Sequence, residues 1–332
     1  MVVTQSAPIP ARRSSGRRGL VDSSTIGLLL GVLLAGSASL GAEQREARPS
    51  IPQLKKLSVE ELMALQVTLV SRNEERLGSA AAAVSLVTSE DIRRSGATTV
   101  PEVLRLVPGL HVARQTASLW VVASRGFSSI NSEKLLVLSD TRSIYTPLFS
   151  GVLWDVQDTL LQDIDRIEVV RGPGATLWGS NAVNGVISIT TKSAKDTQGL
   201  YLETSAGGEE QAIVAARYGG RISDRAYYRV YGKYFNRDRT FAVDRNSPDD
   251  WQLGHGGFRV DWDPTARDAV TVQGNAYRGQ VGQIAPSIAI AGRQGPDGPL
   301  RVRTAGGHVL ARWRRTLSQE SDLQVRAYYD RT

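Results

Sequence analysis

From Gly199 onward the chain alternates between apolar and polar positions. Ala226, Tyr228, Val230, Gly232 and Tyr234 occupy one face of a segment whose other face carries Tyr227, Arg229, Tyr231 and Lys233. The same pattern sets Gly256, Phe258, Val260 and Trp262 against Gly257, Arg259 and Asp261, and Val270, Val272, Gly274 and Ala276 against Thr271, Gln273 and Asn275. It returns with Val309, Ala311 and Trp313 against His308, Arg312 and Arg314, and with Leu323, Val325, Ala327 and Tyr329 against Gln324, Arg326, Tyr328 and Asp330. A period of two predicts strands with one apolar and one polar face. Residues 200–205 and 211–218 extend the expected series to seven strands. In a soluble sandwich the polar face would look to water. Segments of about ten residues with aromatic ends suit the lipid-facing strands of a transmembrane barrel better. An open edge in lipid leaves backbone groups unpaired at several kcal/mol each. Seven strands are therefore expected to begin a larger closed barrel, and the chain to be the front of a longer protein.

The preceding stretch has a different texture. Ile164–Arg171 reads as a strand, 172–185 as a glycine-punctuated connection, and 186–191 as a second strand. Ile164, Arg166, Glu168 and Val170 share one face of the first strand, and Asp165, Ile167, Val169 and Arg171 the other. Each face mixes apolar and charged groups, which predicts a polar enclosure and not a dry two-layer core. Upstream, 83–87 reads as a strand, and Thr88 with Asp91 caps a turn over 89–95. Thr99, Pro101 and Glu102 form a capping box with proline where its absent N–H does no harm, opening a helix that runs to Val107 and stops at Pro108-Gly109. Extended pieces follow at 110–115, 120–125 and 135–138. Strands outnumber helices, so residues 81–192 are expected to form one α+β domain with a mixed sheet.

The amino terminus reads as an export signal: arginines 12, 13, 17 and 18, an apolar run over 26–35, and a small-residue exit that places cleavage near Ala42. That run falls short of the roughly 20 residues needed to span a bilayer. Residues 43–80 follow as an exported segment, with a β-branched stretch at Gln66, Val67, Thr68, Leu69 and Val70. Close behind a polar tail, this stretch can add to another protein's sheet edge through main-chain hydrogen bonds or serve as an ordinary first strand.

Composition excludes more than it assigns. The 332 residues hold no cysteine and only three histidines, 111, 255 and 308, with no carboxylate cluster beside them in sequence, so no catalytic metal centre or cofactor is expected, while carboxylate-only sites stay open. Much of the +7 formal charge sits in the leader, and the other basic residues are interspersed with acids, unlike a nucleic-acid footprint. Gly172-Pro173-Gly174 lacks the Gly-Lys-Ser/Thr ending of a phosphate loop. Asp155, Asp158, Asp163 and Asp165 offer no general base with a partner, so no catalytic residue and no enzyme is expected.

Four motifs in order carry a family resemblance: Ala97 to Leu104 with Val107-Pro108-Gly109; Arg125-Gly126-Phe127; Arg166 to Val169 with Arg171-Gly172-Pro173-Gly174; and Trp178-Gly179-Ser180-Asn181 through Asn184-Gly185-Val186-Ile187. Over about residues 57–192 the chain resembles the plug domain of TonB-dependent outer-membrane receptors. The resemblance implies a plug folded inside a barrel of roughly 22 strands, with residues 193–332 as the barrel's first part. It implies a monomer in outer-membrane lipid that takes up a scarce nutrient, a ferric siderophore or a cobalamin-like chelate, driven by TonB and its inner-membrane complex. TonB would engage a box resembled by Val67, Thr68, Leu69 and Val70, although Gln66-Val67 replaces the acidic residue often found there. Arg125 and Arg171, with Glu168, would be the plug–barrel pairing residues, and Gly126, Gly172, Pro173, Gly174, Gly179 and Gly185 would shape its turns. Tyr145, Phe149 and Trp154 are candidates for substrate contact, in an outward loop where aromatics also act as packing anchors. Residues 43–66 leave no room for a signalling domain, so transport without transcriptional signalling is expected. A surface protein that docks or adheres without transporting, or a non-functional fragment, is the alternative. Two positions depart from the family pattern: Ser124 before Arg-Gly-Phe, and Thr141 where glycine is usual, which predicts a turn under strain.

Overall fold

The structure is a computed structural model. It describes residues 66–67, 75–76, 83–126, 134–146, 151–172, 178–240, 249–285, 298–318 and 321–332. The chain divides into two units, Met1–Ser50 and Ile51–Thr332, and all described residues belong to the second. The expected leader lies outside them.

A short antiparallel pair, β1 (Gln66–Val67) and β2 (Glu75–Arg76), comes first. The α+β domain then opens with β3 (Ala83–Thr88) and α1 (Ser89–Ser95). The Thr88 hydroxyl accepts from the Asp91 N–H and the Asp91 carboxylate accepts from the Thr88 N–H, closing the expected capping box. Helix α2 (Val100–Leu104) starts at Thr99 and ends earlier than predicted, with residues 105–107 continuing as turns. The hairpin β4 (Leu110–Arg114) and β5 (Trp120–Ser124) stands beside a five-stranded mixed sheet. That sheet contains β6 (Leu135–Ser139), β7 (Arg142–Ser143), β8 (Ile164–Arg171) and β9 (Gly185–Thr191), in the order β3-β8-β9-β6-β7 with only β6 and β9 parallel.

Both faces of this sheet are covered, and here the structure corrects the expectation of a polar enclosure. Val169, Ile187 and Val137 form one cross-strand rung and pack with Ile164, Ile167, Trp120, Trp154 and the helix residues Val103 and Leu104 in the main core. On the opposite face Val84, Val170, Val186 and Leu136 make a second, smaller apolar layer. The reason is a register shift: Ile164 pairs with Thr191 but Arg166 with Thr190, so Asp165 is an extra residue. This bulge brings Ile164 onto the side of Ile167 and Val169, a switch that strict alternation cannot show. Gly185 must be glycine for the approach of β8, because a Cβ there would lie 2.5 Å from the Val170 carbonyl oxygen.

Seven antiparallel strands follow in sequence order: β10 (Gly199–Ser205), β11 (Glu210–Ser223), β12 (Ala226–Arg237), β13 (Trp251–Trp262), β14 (Asp268–Ala285), β15 (Gly298–Thr316) and β16 (Asp322–Arg331). β14 and β15 reach 18 and 19 residues, longer than the alternation predicts, because ladder pairing is a backbone property and continues after side-chain alternation lapses. Register lines up one rung across all seven strands: Leu200, Tyr218, Val230, Phe258, Gly274, Val309 and Tyr329. Every side chain in it except glycine is large, apolar or aromatic, and exposed. The next position along β12 turns inward, where Arg229, Arg259 and Gln273 form a buried polar rung.

Candidate functional site

The seam between the α+β domain and the polar face of the seven-stranded wall holds a line of buried ion pairs. Along the inner face of β12, Arg229, Lys233 and Arg237 recur every fourth residue, with Tyr231 and Phe235 between them. Period two puts all five on one side of the strand. The cross-strand neighbours on β13 are Arg259, His255 and Trp251. Asp163, on the single turn before β8, pairs with Arg217 and lies 3.4 Å from Arg229 Nε. Arg229 also donates to the Lys192 carbonyl at 2.6 Å. Asp158 sits 2.7 Å from the Lys233 ammonium and 3.1 Å from His255 Nε2, with all three side chains almost wholly buried. Arg237 pairs with Glu210 on the wall, donates to the Thr98 hydroxyl at 3.0 Å and stands 3.6 Å from Glu102. Glu102 thus serves twice, since it also accepts from the N–H groups of Thr98 and Thr99 at the start of α2.

The β6–β7 turn makes the second set of contacts. Asp140 and Thr141 both have positive φ, 47° and 71°, between the paired residues Ser139 and Arg142. Two consecutive positive φ values define a type I′ turn, which favours Asn-Gly or Asp-Gly. Thr141 therefore carries the strain that its departure from glycine predicts. The turn is held from outside: Asp140 accepts from the Thr191 N–H at 2.9 Å, the Thr191 hydroxyl at 2.8 Å and Gln273 at 2.7 Å. Arg142 pairs with Asp330 at 2.5 Å, and Arg326 donates to the Thr141 carbonyl. Arg259 ties the sets together through Asp261 at 2.7 Å and the Thr191 hydroxyl at 2.9 Å.

Burial alone pushes the Asp158 carboxyl up, but the Lys233 ammonium and His255 outweigh it and hold the group down at about 2. The same contest at Asp140 ends below the usual carboxylate range, through Arg259, Thr191 and Gln273. Asp155, three residues before Asp158 and without such a partner, is pushed up to about 6 by desolvation. Between domain and wall lies a polar cavity of about 60 Å³, lined in part by Asp140, Asp158, Asp163, Arg229, Arg259 and His308. That volume accommodates a few waters. Among the described residues no group of three or more potential ligands is arranged to hold a metal.

The residues singled out from sequence are distributed differently. Arg171 lies against Gly109, where a Cβ would come within 2.6 Å of Nη1, and Arg125 Nη2 lies near Gly172. Neither arginine has a carboxylate partner among the described residues. Glu168 is fully buried, with Arg166 Nε at 2.8 Å. Gly126, Gly172 and Gly179 adopt positive φ, and Gly185 begins β9. Trp154 packs in the main core and Tyr145 is half-buried. Val67 lies in β1, while Thr68, Leu69, Val70, Phe149, Pro173 and Gly174 fall outside the described residues. Sequence reasoning dismissed Asp158 and Asp163 as catalytic candidates and missed their pairing. The available signal was the matching polarity: spaced acids in the connection before β8, and spaced cations on one face of β12.

Comparison with known proteins gives this geometry its context. Residues 76–186 match the family described as TonB-dependent Receptor Plug Domain. The chain is 33% identical over 169 residues to the vitamin B12 transporter BtuB of Vibrio cholerae, covering 49% of this chain and 26% of that protein. It therefore spans about a quarter of that relative's length. The fold is similar to the ferripyoverdine receptor of the Pseudomonas aeruginosa outer membrane, with a TM-score of 0.62 and 14% identity over 80% of this chain and 36% of that one. It is also similar to the ferric yersiniabactin uptake receptor of Yersinia pestis, with a TM-score of 0.60 and 17% identity over 75% of this chain and 40% of that one. Residues 76–186 thus carry the plug-domain family match, and the α+β domain with its seven strands has the fold of these outer-membrane receptors.

Proposed function

We propose that the chain belongs to an active outer-membrane transporter for a scarce nutrient, a ferric siderophore or a cobalamin-like chelate, with the plug gating the barrel. The observation that carries this reading is the seam: buried plug acids close against buried wall cations, on a sheet whose other face presents an unbroken apolar rung suited to lipid. Such a seam seals a barrel at rest and opens only against force. The force is assigned to TonB and its inner-membrane complex, which engage Val67, Thr68, Leu69 and Val70 by strand addition. The receptor works as a monomer in outer-membrane lipid after export by the leader. Arg125 and Arg171 are proposed as further pairing groups for wall residues outside those described, and Tyr145 and Phe149 as contacts for the chelate.

The test is binding of the periplasmic part of TonB to the full-length receptor. Leu69→Pro removes an N–H that strand addition needs, so co-purification with TonB is expected to be lost while the plug keeps its protease resistance. Undiminished co-purification would remove this segment from the mechanism.

A further inference from the structure

The ion pairs along the middle of the seam share one polarity. Arg217, Arg229 and Lys233 belong to the wall, and the acids that meet them, Asp163 and Asp158, belong to the plug. At the two ends of the line the wall supplies acids of its own, Glu210 beside Arg237 and Asp261 beside Arg259. Polarity reverses where the plug arginines Arg114 and Arg142 meet Glu209 and Asp330. Between those ends, withdrawal of the plug leaves Arg217, Arg229 and Lys233 with no wall acid in contact among the described residues.

The line also has a direction. The connections 224–225, 263–267 and 317–321 lie at one end of the sheet, and 206–209 with the two longest, 238–250 and 286–297, at the other. Short turns face the periplasm and long loops the outside in such barrels. Arg237 is therefore near the outer end of β12 and Arg229 nearer the periplasm, so the cations follow the axis of passage. Aromatic rings alternate with them, Tyr231 and Phe235 on β12, with Lys233 5.6 Å from the Phe235 ring and Arg237 5.5 Å from the Trp251 ring. A second observation points to more anion-binding capacity than the plug uses. Arg237 is 3% exposed, yet its Nε and Nη1 have no hydrogen-bond partner among the described residues. Buried donors of this kind are rare unless something accepts from them.

We infer that the inner face of β12, with Arg217 of β11, is a track for anionic cargo, and that Asp158 and Asp163 occupy it as resident anions while the plug is docked. Cargo bearing carboxylate, catecholate or phosphate charge replaces them as they withdraw. The wall passes it between successive cations about 13 Å apart, four strand residues at roughly 3.3 Å each. This inference rests on the transport reading above.

The test uses the full-length receptor in a planar bilayer, with the plug displaced by urea and the chloride-to-potassium permeability ratio read from the reversal potential in a potassium chloride gradient. Wild type is expected to favour chloride, and Arg229→Gln/Lys233→Gln/Arg237→Gln to lower the ratio at least twofold. If that triple variant does not assemble, the exchange Asp158→Lys/Lys233→Asp keeps the resting pair but moves the cation off the wall, and it is expected to lower the ratio as well. A ratio unchanged by either set of substitutions overturns the inference. The two readings fail separately: uptake indifferent to TonB with a lowered ratio removes transport and leaves the track, whereas TonB-driven uptake with an unchanged ratio does the reverse.

Discussion

Asp158 shows how strongly one residue can hold the seam. Its carboxyl titrates at about 2 instead of the ordinary 3.8 because Lys233 and His255 favour the ionised form more than burial opposes it. A carboxyl depressed by folding contributes stability that is complete above its unfolded value and lost as pH falls through its folded value. The pair is therefore expected to hold the plug undiminished down to about pH 4 and to release it between about pH 4 and 2, read as the urea concentration that frees the plug in full-length receptor. Asp158→Asn leaves Lys233 buried without its counter-charge and is expected to weaken docking by about 3–5 kcal/mol at neutral pH. A midpoint unchanged from wild type would show that the pair does not bear the load. Thr141 is the opposite case, a residue whose discomfort is legible in advance. Asp-Thr stands where two positive φ values are needed, and the structure places Thr141 at φ 71°. Left-handed backbone costs an L-residue roughly 1–2 kcal/mol, partly offset in glycine by its greater freedom when unfolded. Thr141→Gly is expected to stabilise the plug by up to ~1 kcal/mol in the same urea assay, whereas destabilisation would mean that the threonine side chain makes a contact worth more than the strain.

At the scale of elements, alternation was enough to find the wall and not enough to find what faces it. Each strand from β10 to β16 announces its two faces, because successive side chains point to opposite sides of the sheet. Cross-strand register is written in no single segment, yet register is what assembles Leu200, Tyr218, Val230, Phe258, Val309 and Tyr329 into one exposed rung. The pairing of Asp158 with Lys233 joins residues in different domains, and of Asp163 with Arg229 likewise, so no local pattern signals either contact. The same limit explains the misreading of β8, where one bulged residue at Asp165 moves Ile164 to the core side and turns mixed faces into a dry layer. The lipid assignment of the rung is open to a direct check. Phe258→Lys puts a charge at its centre, and a lysine near the midplane of such a barrel costs about 2–4 kcal/mol. Less folded receptor is expected on heat-modifiability gels, and a normal yield would mean that this face meets something other than lipid.

At the scale of the molecule, domain and wall bury charge together by setting Asp158 against Lys233 and Asp163 against Arg217 and Arg229. A buried pair is weak evidence for stability, since two apolar residues can pack as well. On the proposed function its value is reversibility: a polar seam can part and close again in water, which a greasy one resists. The family was legible from four motifs because turn glycines and capping residues obey local rules. The chelate is not legible, because the outward loops that would meet it are connections whose composition follows their ligand and not the fold. On the proposed function, force applied at the amino-terminal box opens this seam to admit a chelate. The most direct measurement is uptake of labelled cobalamin and ferric chelates by cells carrying the full-length receptor, compared between wild type and Leu69→Pro and with TonB present or absent. Accumulation of at least one chelate is expected in wild type with TonB, and none in the variant or without TonB, at equal receptor levels in the outer membrane. Accumulation that persists through Leu69→Pro and through loss of TonB would contradict that function.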